Sequence, residues 1–231
     1  MDFEHPLPRR SFLGRACDRR KMRQSLSVSG SPSLKDVKRA LARLQSQSAR
    51  FVPRGRRAAV AAVLREREAA LELLFIHRAE HPRDPWSGQM AWPGGRVDDE
   101  DPGPLAAALR ETREELALDL ERDAGFLGAL SEVRTHLRRG PGPLSVVPFV
   151  FELKGEPALV PNQEVQEALW VPLSFLLERG NRGRMIWTGG GVPLVMPCYR
   201  FEGRVIWGLT LHMLDELLEL LAEAGAVPKD E

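Results

Sequence analysis

The chain has 231 residues, enough for one sizeable domain and an appendage. Its 43% hydrophobic and 28% charged residues make an ordinary soluble globular balance, and no run approaches the roughly eighteen unbroken apolar residues that a membrane span needs. The net charge of +1 hides an asymmetry: residues 1–57 hold 15 lysines and arginines against 4 acids, while the rest hold 18 against 28.

Residues 1–32 are rich in Arg, Ser, Pro and Gly and lack hydrophobic periodicity. This predicts a basic, disordered N-terminal arm ahead of a single domain over 33–231. Such an arm reads as a solvated tail or as an extension ahead of Met22. Contact with nucleic acid or anionic lipid is the less favoured alternative. No long apolar run follows the basic residues, so they do not read as a secretory signal. Cys17 and Cys198 are far apart and form neither a disulfide framework nor a cysteine metal site, which fits a reducing cytoplasmic location.

Ser33 and Asp36 resemble a capping box, and Val37, Leu41 and Leu44 mark one face of a helix that ends near Ala49. Apolar runs at 58–64 and 71–77 read as strands joined by a charged turn, although the alanines weaken the first. Residues 79–101 hold Pro82, Pro85, Pro93 and the pair Gly94-Gly95, too closely spaced for a helix. They predict a long loop, and long loops inside compact domains tend to be functional. A helix follows from about Pro102 or Pro104 to Leu118, with Asp101 as a candidate cap. Strands are expected at 126–134, 144–153 and 166–171, then a short helix over 172–177. Two further strands at 184–188 and 194–200 precede 204–207 and an amphipathic helix over 209–224, whose Leu209, Met213, Leu214, Leu217, Leu218 and Leu221 form a packing stripe. The mixture predicts an α+β fold, an α/β/α sandwich with a central mixed sheet between helices.

The chemistry is concentrated in Gly94-Gly95-Arg96-Val97-Asp98-Asp99-Glu100-Asp101 and the helix that carries Arg110-Glu111-Thr112-Arg113-Glu114-Glu115. Glu111, Glu114 and Glu115 stand at i, i+3 and i+4, so they share one helix face. Carboxylates that close repel one another, and hard divalent cations such as Mg²⁺ or Mn²⁺ resolve the conflict. The plain alternative is a solvated acidic face on which Arg110 and Glu114 pair. The preceding loop favours the metal reading, because Gly94-Gly95 can approach a ligand closely and present backbone groups to metal or phosphate.

This segment resembles the Nudix box: a glycine, an acid, an Arg-Glu pair, two adjacent glutamates and a closing apolar position, here Gly95, Asp101, Arg110-Glu111, Glu114-Glu115 and Leu118. It departs in three places. Eight residues rather than seven separate Asp101 from Arg110, Asp stands for Glu at 101, and Ala117 stands where glycine is usual. The resemblance implies a metal-dependent diphosphatase in which Glu111, Glu114, Glu115 and the Gly94 carbonyl hold Mg²⁺ or Mn²⁺. Arg110 would orient a glutamate, and the water-activating base is left open, with Glu164 a candidate base or further ligand beside the alternative of a surface acid.

The chain is also similar to the coenzyme A diphosphatase branch of the family. The similarity runs through Gly88-Gln89-Met90-Ala91-Trp92-Pro93-Gly94-Gly95, Pro161-Asn162-Gln163-Glu164-Val165, Trp170-Val171-Pro172-Leu173 and Ile206-Trp207-Gly208-Leu209-Thr210. It implies coenzyme A or acyl-coenzyme A as substrate, while the altered spacing of Arg78, His81 and Arg83 keeps other nucleotides open: ADP-ribose, NADH, a dinucleoside polyphosphate or an RNA 5′ end. Arg78, Arg83, Gly94, Gly95 and Arg96 are the candidate phosphate contacts. Trp86 and Trp92 either stack on a base or pack the loop, His136 is a weak candidate, and Trp207 reads as core. A non-catalytic nucleotide- or RNA-binding module is the alternative from another class, and a homodimer is allowed.

Overall fold

In the computed structural model, which describes residues 32–45, 56–81, 87–135, 144–188 and 192–223, the longest strands are buried on both faces. β1 (Arg56–Arg67) turns Ala59, Ala61 and Val63 to one face and Ala58, Ala62 and Leu64 to the other. β2 (Ala70–Arg78) does the same with Leu74 and Ile76 against Leu71, Leu73 and Phe75. Strands covered on both sides read as continuous apolar runs, which is why these two stand out in the sequence.

The connection 79–101, expected to be loop throughout, contains two short strands, β3 (Met90–Ala91) and β4 (Gly94–Arg96). β3 pairs with Ile76 and His77 of β2, whereas β4 pairs with residues 58–60 of β1. β1 and β2 pair directly only near their shared turn, at Leu64–Arg67 with Ala70–Leu73. Beyond that they splay, and the segment from Met90 to Arg96 fills the gap. Trp92 bridges it, almost wholly buried and tilted against Phe75 with ring centroids 6.3 Å apart. Trp92 is therefore packing, and the stacking alternative is excluded by its burial.

Helix α1 (Leu34–Gln45) begins with Ser33, whose backbone N–H and hydroxyl both donate to Asp36 at 3.0 and 2.7 Å. Helix α2 (Pro104–Leu116) starts at Gly103 and not at the expected Asp101 cap, because Asp101 is turned to Arg110 instead. The missing glycine of the motif has a visible consequence. Ala117 ends α2 in the left-handed region at φ 54°, the conformation a glycine adopts without strain. A one-turn helix α3 (Leu120–Asp123), absent from the sequence reading, is capped by Asp119.

β5 (Ala124–Ala129), β6 (Val133–Thr135), β7 (Leu144–Leu153) and β8 (Val165–Pro172) complete an eight-stranded mixed sheet, with β7 parallel to β1. α4 (Leu173–Leu177) follows β8. β9 (Arg182–Trp187), β10 (Leu194–Phe201) and β11 (Arg204–Trp207) form a separate three-stranded sheet rather than joining the main one. α5 (Gly208–Glu223) closes the described chain. α1, α4 and α5 cover one face of the large sheet, and α2 with α3 covers the other. Small residues let α2 approach: Ala107 and Ala108 meet Ala59 of β1. Among the described residues no helix is long and apolar enough to cross a membrane. The arm over 1–31, Arg83, Trp86 and His136 lie outside the described residues.

Candidate active site

The site grows from the close approach of β4 to β1. A β-carbon on Gly94 would strike the Ala59 carbonyl and the Val60 backbone, and its φ of 144° lies in glycine territory, so only glycine fits. The Gly94 N–H then donates to Glu115 Oε2 at 2.8 Å. Gly95 is required for a different reason. Its backbone is ordinary, but the Glu111 carboxylate occupies the place where a side chain would stand. The two glycines thus seat two carboxylates of α2 beneath the loop.

Glu115 is 3% exposed, and burial pushes its carboxyl up to about 8. The Gly94 N–H and Arg78 oppose that rise, while the charges of Glu111 and Glu164 add to it. Burial also raises Glu111, against the pull of Arg110 and with the repulsion of Glu114 and Asp98. Glu114 points outward and is exposed. Arg110 ties these groups together. Its Nη1 donates to Glu111 at 3.1 Å and Glu114 at 3.3 Å, its Nε and Nη2 grip both oxygens of Asp101, and Nη2 also reaches the Arg96 carbonyl. The Arg110 guanidinium holds Asp101 below the usual carboxylate range.

A second segment meets the same place. The two orphan carbonyls at the end of α2 are taken by the loop before β8: Val160 N–H donates to Leu116 O and Asn162 N–H to Glu115 O. Asn162 Oδ1 in turn accepts from the Glu164 N–H at 2.8 Å. Glu164 is exposed, near enough for its charge to act on Glu115. Arg78, at the end of β2, lies 3.7 Å from Glu115 Oε1. Sequence reasoning gave Asn162 no role. An asparagine two residues before an acid in a turn is the signal that could have found it.

Of the candidate residues, the structure brings Arg78, Gly94, Gly95, Arg110, Glu111, Glu115 and Glu164 together around the buried Glu115 carboxylate. Glu114 faces outward from the same helix, and Arg96 contributes its carbonyl while its side chain is exposed. Trp207 is half-buried and tilted against Trp187. The three glutamates share a helix surface but do not converge: among the described residues no three such side chains stand close enough, as they lie, to hold a metal ion. The donor chemistry nevertheless fits one. Glu111 and Glu115 are oxygen donors that burial and neighbouring carboxylates hold above the usual carboxylate range, a conflict that a hard divalent cation relieves.

The NUDIX domain profile matches residues 55–186, a span that contains the glycine loop, α2 and the Glu164 loop. The chain belongs to the NUDIX family. As a Nudix hydrolase it acts on diphosphate bonds. Over 190 residues it is 30% identical to the mitochondrial coenzyme A diphosphatase NUDT8 of Homo sapiens, covering 80% of this chain and 78% of that protein. It is 41% identical over 108 residues to an uncharacterized protein of Schizosaccharomyces pombe, and this match covers 46% of the chain and only 33% of that relative. Among solved structures, the Nudix hydrolase RenU of M. smegmatis is 21% identical with a TM-score of 0.46, covering 80% of this chain and 94% of that one. A C. elegans Ap4A hydrolase is 20% identical with a TM-score of 0.45, over 54% and 85%.

Proposed function

We propose that this Nudix hydrolase cleaves the diphosphate linkage of coenzyme A or acyl-coenzyme A, with Mg²⁺ or Mn²⁺ held by Glu111, Glu114, Glu115 and the Gly94 carbonyl. The observation that carries the reading is the burial of Glu115 under the Gly94 N–H, crowded by Glu111 and Glu164. A fold gains nothing from seating one carboxyl in the field of two others, whereas a metal-dependent hydrolase does. The substrate is suggested by the likeness to the human coenzyme A diphosphatase.

When bound, the divalent ion polarises the diphosphate and makes the attacking water more acidic. The protein's own groups do the rest. Glu164 accepts the proton of the water as its oxygen forms the new bond to phosphorus. The bridging P–O bond breaks with its electron pair on the departing phosphate, leaving 4′-phosphopantetheine and 3′,5′-ADP. Arg110 keeps Glu111 and Glu114 oriented. Arg78, Arg83, Arg96 and the Gly94-Gly95 backbone receive the phosphates, and Trp86 offers a stacking surface for the adenine. Residues 33–231 act as one catalytic domain behind a basic arm over 1–32, in the cytoplasm.

The test is product release, resolved by mass, from coenzyme A, acyl-coenzyme A, ADP-ribose, NADH, dinucleoside polyphosphates, nucleoside triphosphates and a triphosphate-ended RNA with each metal. Coenzyme A should give the two named products well above the rest, and Glu114→Gln and Glu115→Gln should each lose about 10²-fold or more in kcat. Preference for another compound would reassign the substrate. Full activity in both variants would defeat the mechanism.

A further inference from the structure

The register between β2 and β8 slips by one residue where it reaches the site. His77 pairs with Glu167 but Arg78 pairs with Val165, so Gln166 is left over as a bulge on β8. An extra residue in a strand exchanges the faces of everything before it. Val165 thereby joins the apolar cluster beneath α2, and the chain that precedes it is delivered to the end of that helix. There the backbone of Glu164 is held from both sides. Its N–H donates to Asn162 Oδ1 at 2.8 Å, and its carbonyl accepts from Ala79 N–H at 2.8 Å. Asn162 is itself anchored. Its N–H donates to Glu115 O at 2.9 Å, and its carbonyl accepts from Val165 N–H at 3.2 Å.

Asn162 thus joins the Glu164 loop to the helix turn bearing Glu115, next to the bond from Val160 N–H to Leu116 O. Its main chain grips the helix while its side chain fixes the backbone N–H of Glu164. We infer that Asn162 is a positioning residue: its side-chain amide sets where the Glu164 carboxylate stands relative to Glu115, and so where the attacking water is deprotonated. Any side chain could supply the main-chain half of this arrangement. Only a short acceptor such as Asn, Asp or Ser can reach an N–H two residues ahead. Glu164 is exposed, so burial does not fix its side chain, and the Asn162 turn and the Ala79 N–H restrain its backbone instead. The inference rests on Glu164 being the base of the proposed reaction.

A double-mutant cycle on the full chain tests it, with kcat, KM and melting temperature measured for Asn162→Ala, Asn162→Ser, Glu164→Gln and Asn162→Ala/Glu164→Gln. Coenzyme A, or the compound that wins the substrate panel, is the substrate. Asn162→Ala should lower kcat by about 10- to 10²-fold with KM within about twofold, as a small misplacement of a reacting group does. Asn162→Ser, which restores an acceptor without adding charge, should recover most of that loss. In the Glu164→Gln background the alanine change should cost nothing further, because the group it positions is already gone. If Asn162→Ala lowers kcat equally with and without Glu164, or lowers only the melting temperature, the positioning role is overturned and the hydrolase reading stands. If Glu164→Gln keeps full activity, Glu164 is not the base, and both that assignment and this inference fail together.

Discussion

Two neighbouring glycines do different work, and substitution separates them. Gly94→Ala places a methyl into the Ala59 carbonyl and forces an L-residue to a φ of 144°, so the protein should lose roughly 3 kcal/mol and melt early. Gly95→Ala first meets the flexible end of Glu111, so it should melt near wild type while kcat falls by about 10²-fold as that carboxylate is pushed aside. Thermal melts beside initial rates decide the pair. Glu115 carries a pH signature. Its carboxyl is raised from an ordinary 4.5 to about 8 in the fold. Its contribution to stability is thus fully present below 4.5 and is lost as pH rises through about 8. Urea unfolding of metal-free protein at pH 5 and pH 8.5 should show the loss, and Glu115→Gln should flatten it. The motif residues were legible because their spacing is chemical. What the spacing did not reveal is direction: i, i+3 and i+4 put three glutamates on one surface, yet Glu115 turns under the loop and Glu114 turns to solvent.

At the scale of elements, 71–77 and 144–153 were readable because each is an apolar run buried on both faces. The β3 and β4 strands were not, since two or three residues rich in Gly and flanked by Pro carry no period at all. They exist only because β1 and β2 diverge and leave edges to be paired. The turn between β1 and β2 shows a local choice overridden by its surroundings. Glu68 and Ala69 both adopt the left-handed region, at φ 51° and 62°, although neither is glycine or asparagine. That geometry matches the twist of a two-residue hairpin, and the pairing of Arg67 with Ala70 imposes it. Ala69→Gly should therefore stabilise by about 1 kcal/mol, a rise of roughly 2–4 °C in Tm by calorimetry. An unchanged or lower Tm would show that the turn is less strained than its angles imply.

Across the whole molecule, the expected mixed sheet between helices is present, and among the described residues a second, three-stranded sheet stands beside it. The hydrophobic pattern of β9 to β11 signals strands without saying which neighbours they choose. Tyr199 and Ile206 bury the smaller sheet into the main core, and two ion pairs add a polar attachment. Arg204 of β11 grips both oxygens of Glu167 on β8, and Arg182 of β9 grips Asp215 of α5. Long-range ion pairs of this kind leave no mark on local sequence. Asp215→Asn should cost about 2 kcal/mol. It should expose the β9 and β10 amides to hydrogen exchange while those of β1 and β7 remain protected; uniform loss of protection would mean that the two sheets unfold as one. The parallel pairing of β1 with β7 has a temporal consequence. It joins Arg56 to Leu144, so the central strand waits on a partner some ninety residues downstream. β4 and its two glycines hang on the same strand, so pulse-labelled refolding should protect the β4 amides no earlier than those of β7, and earlier protection would show that the glycine loop assembles without that partner.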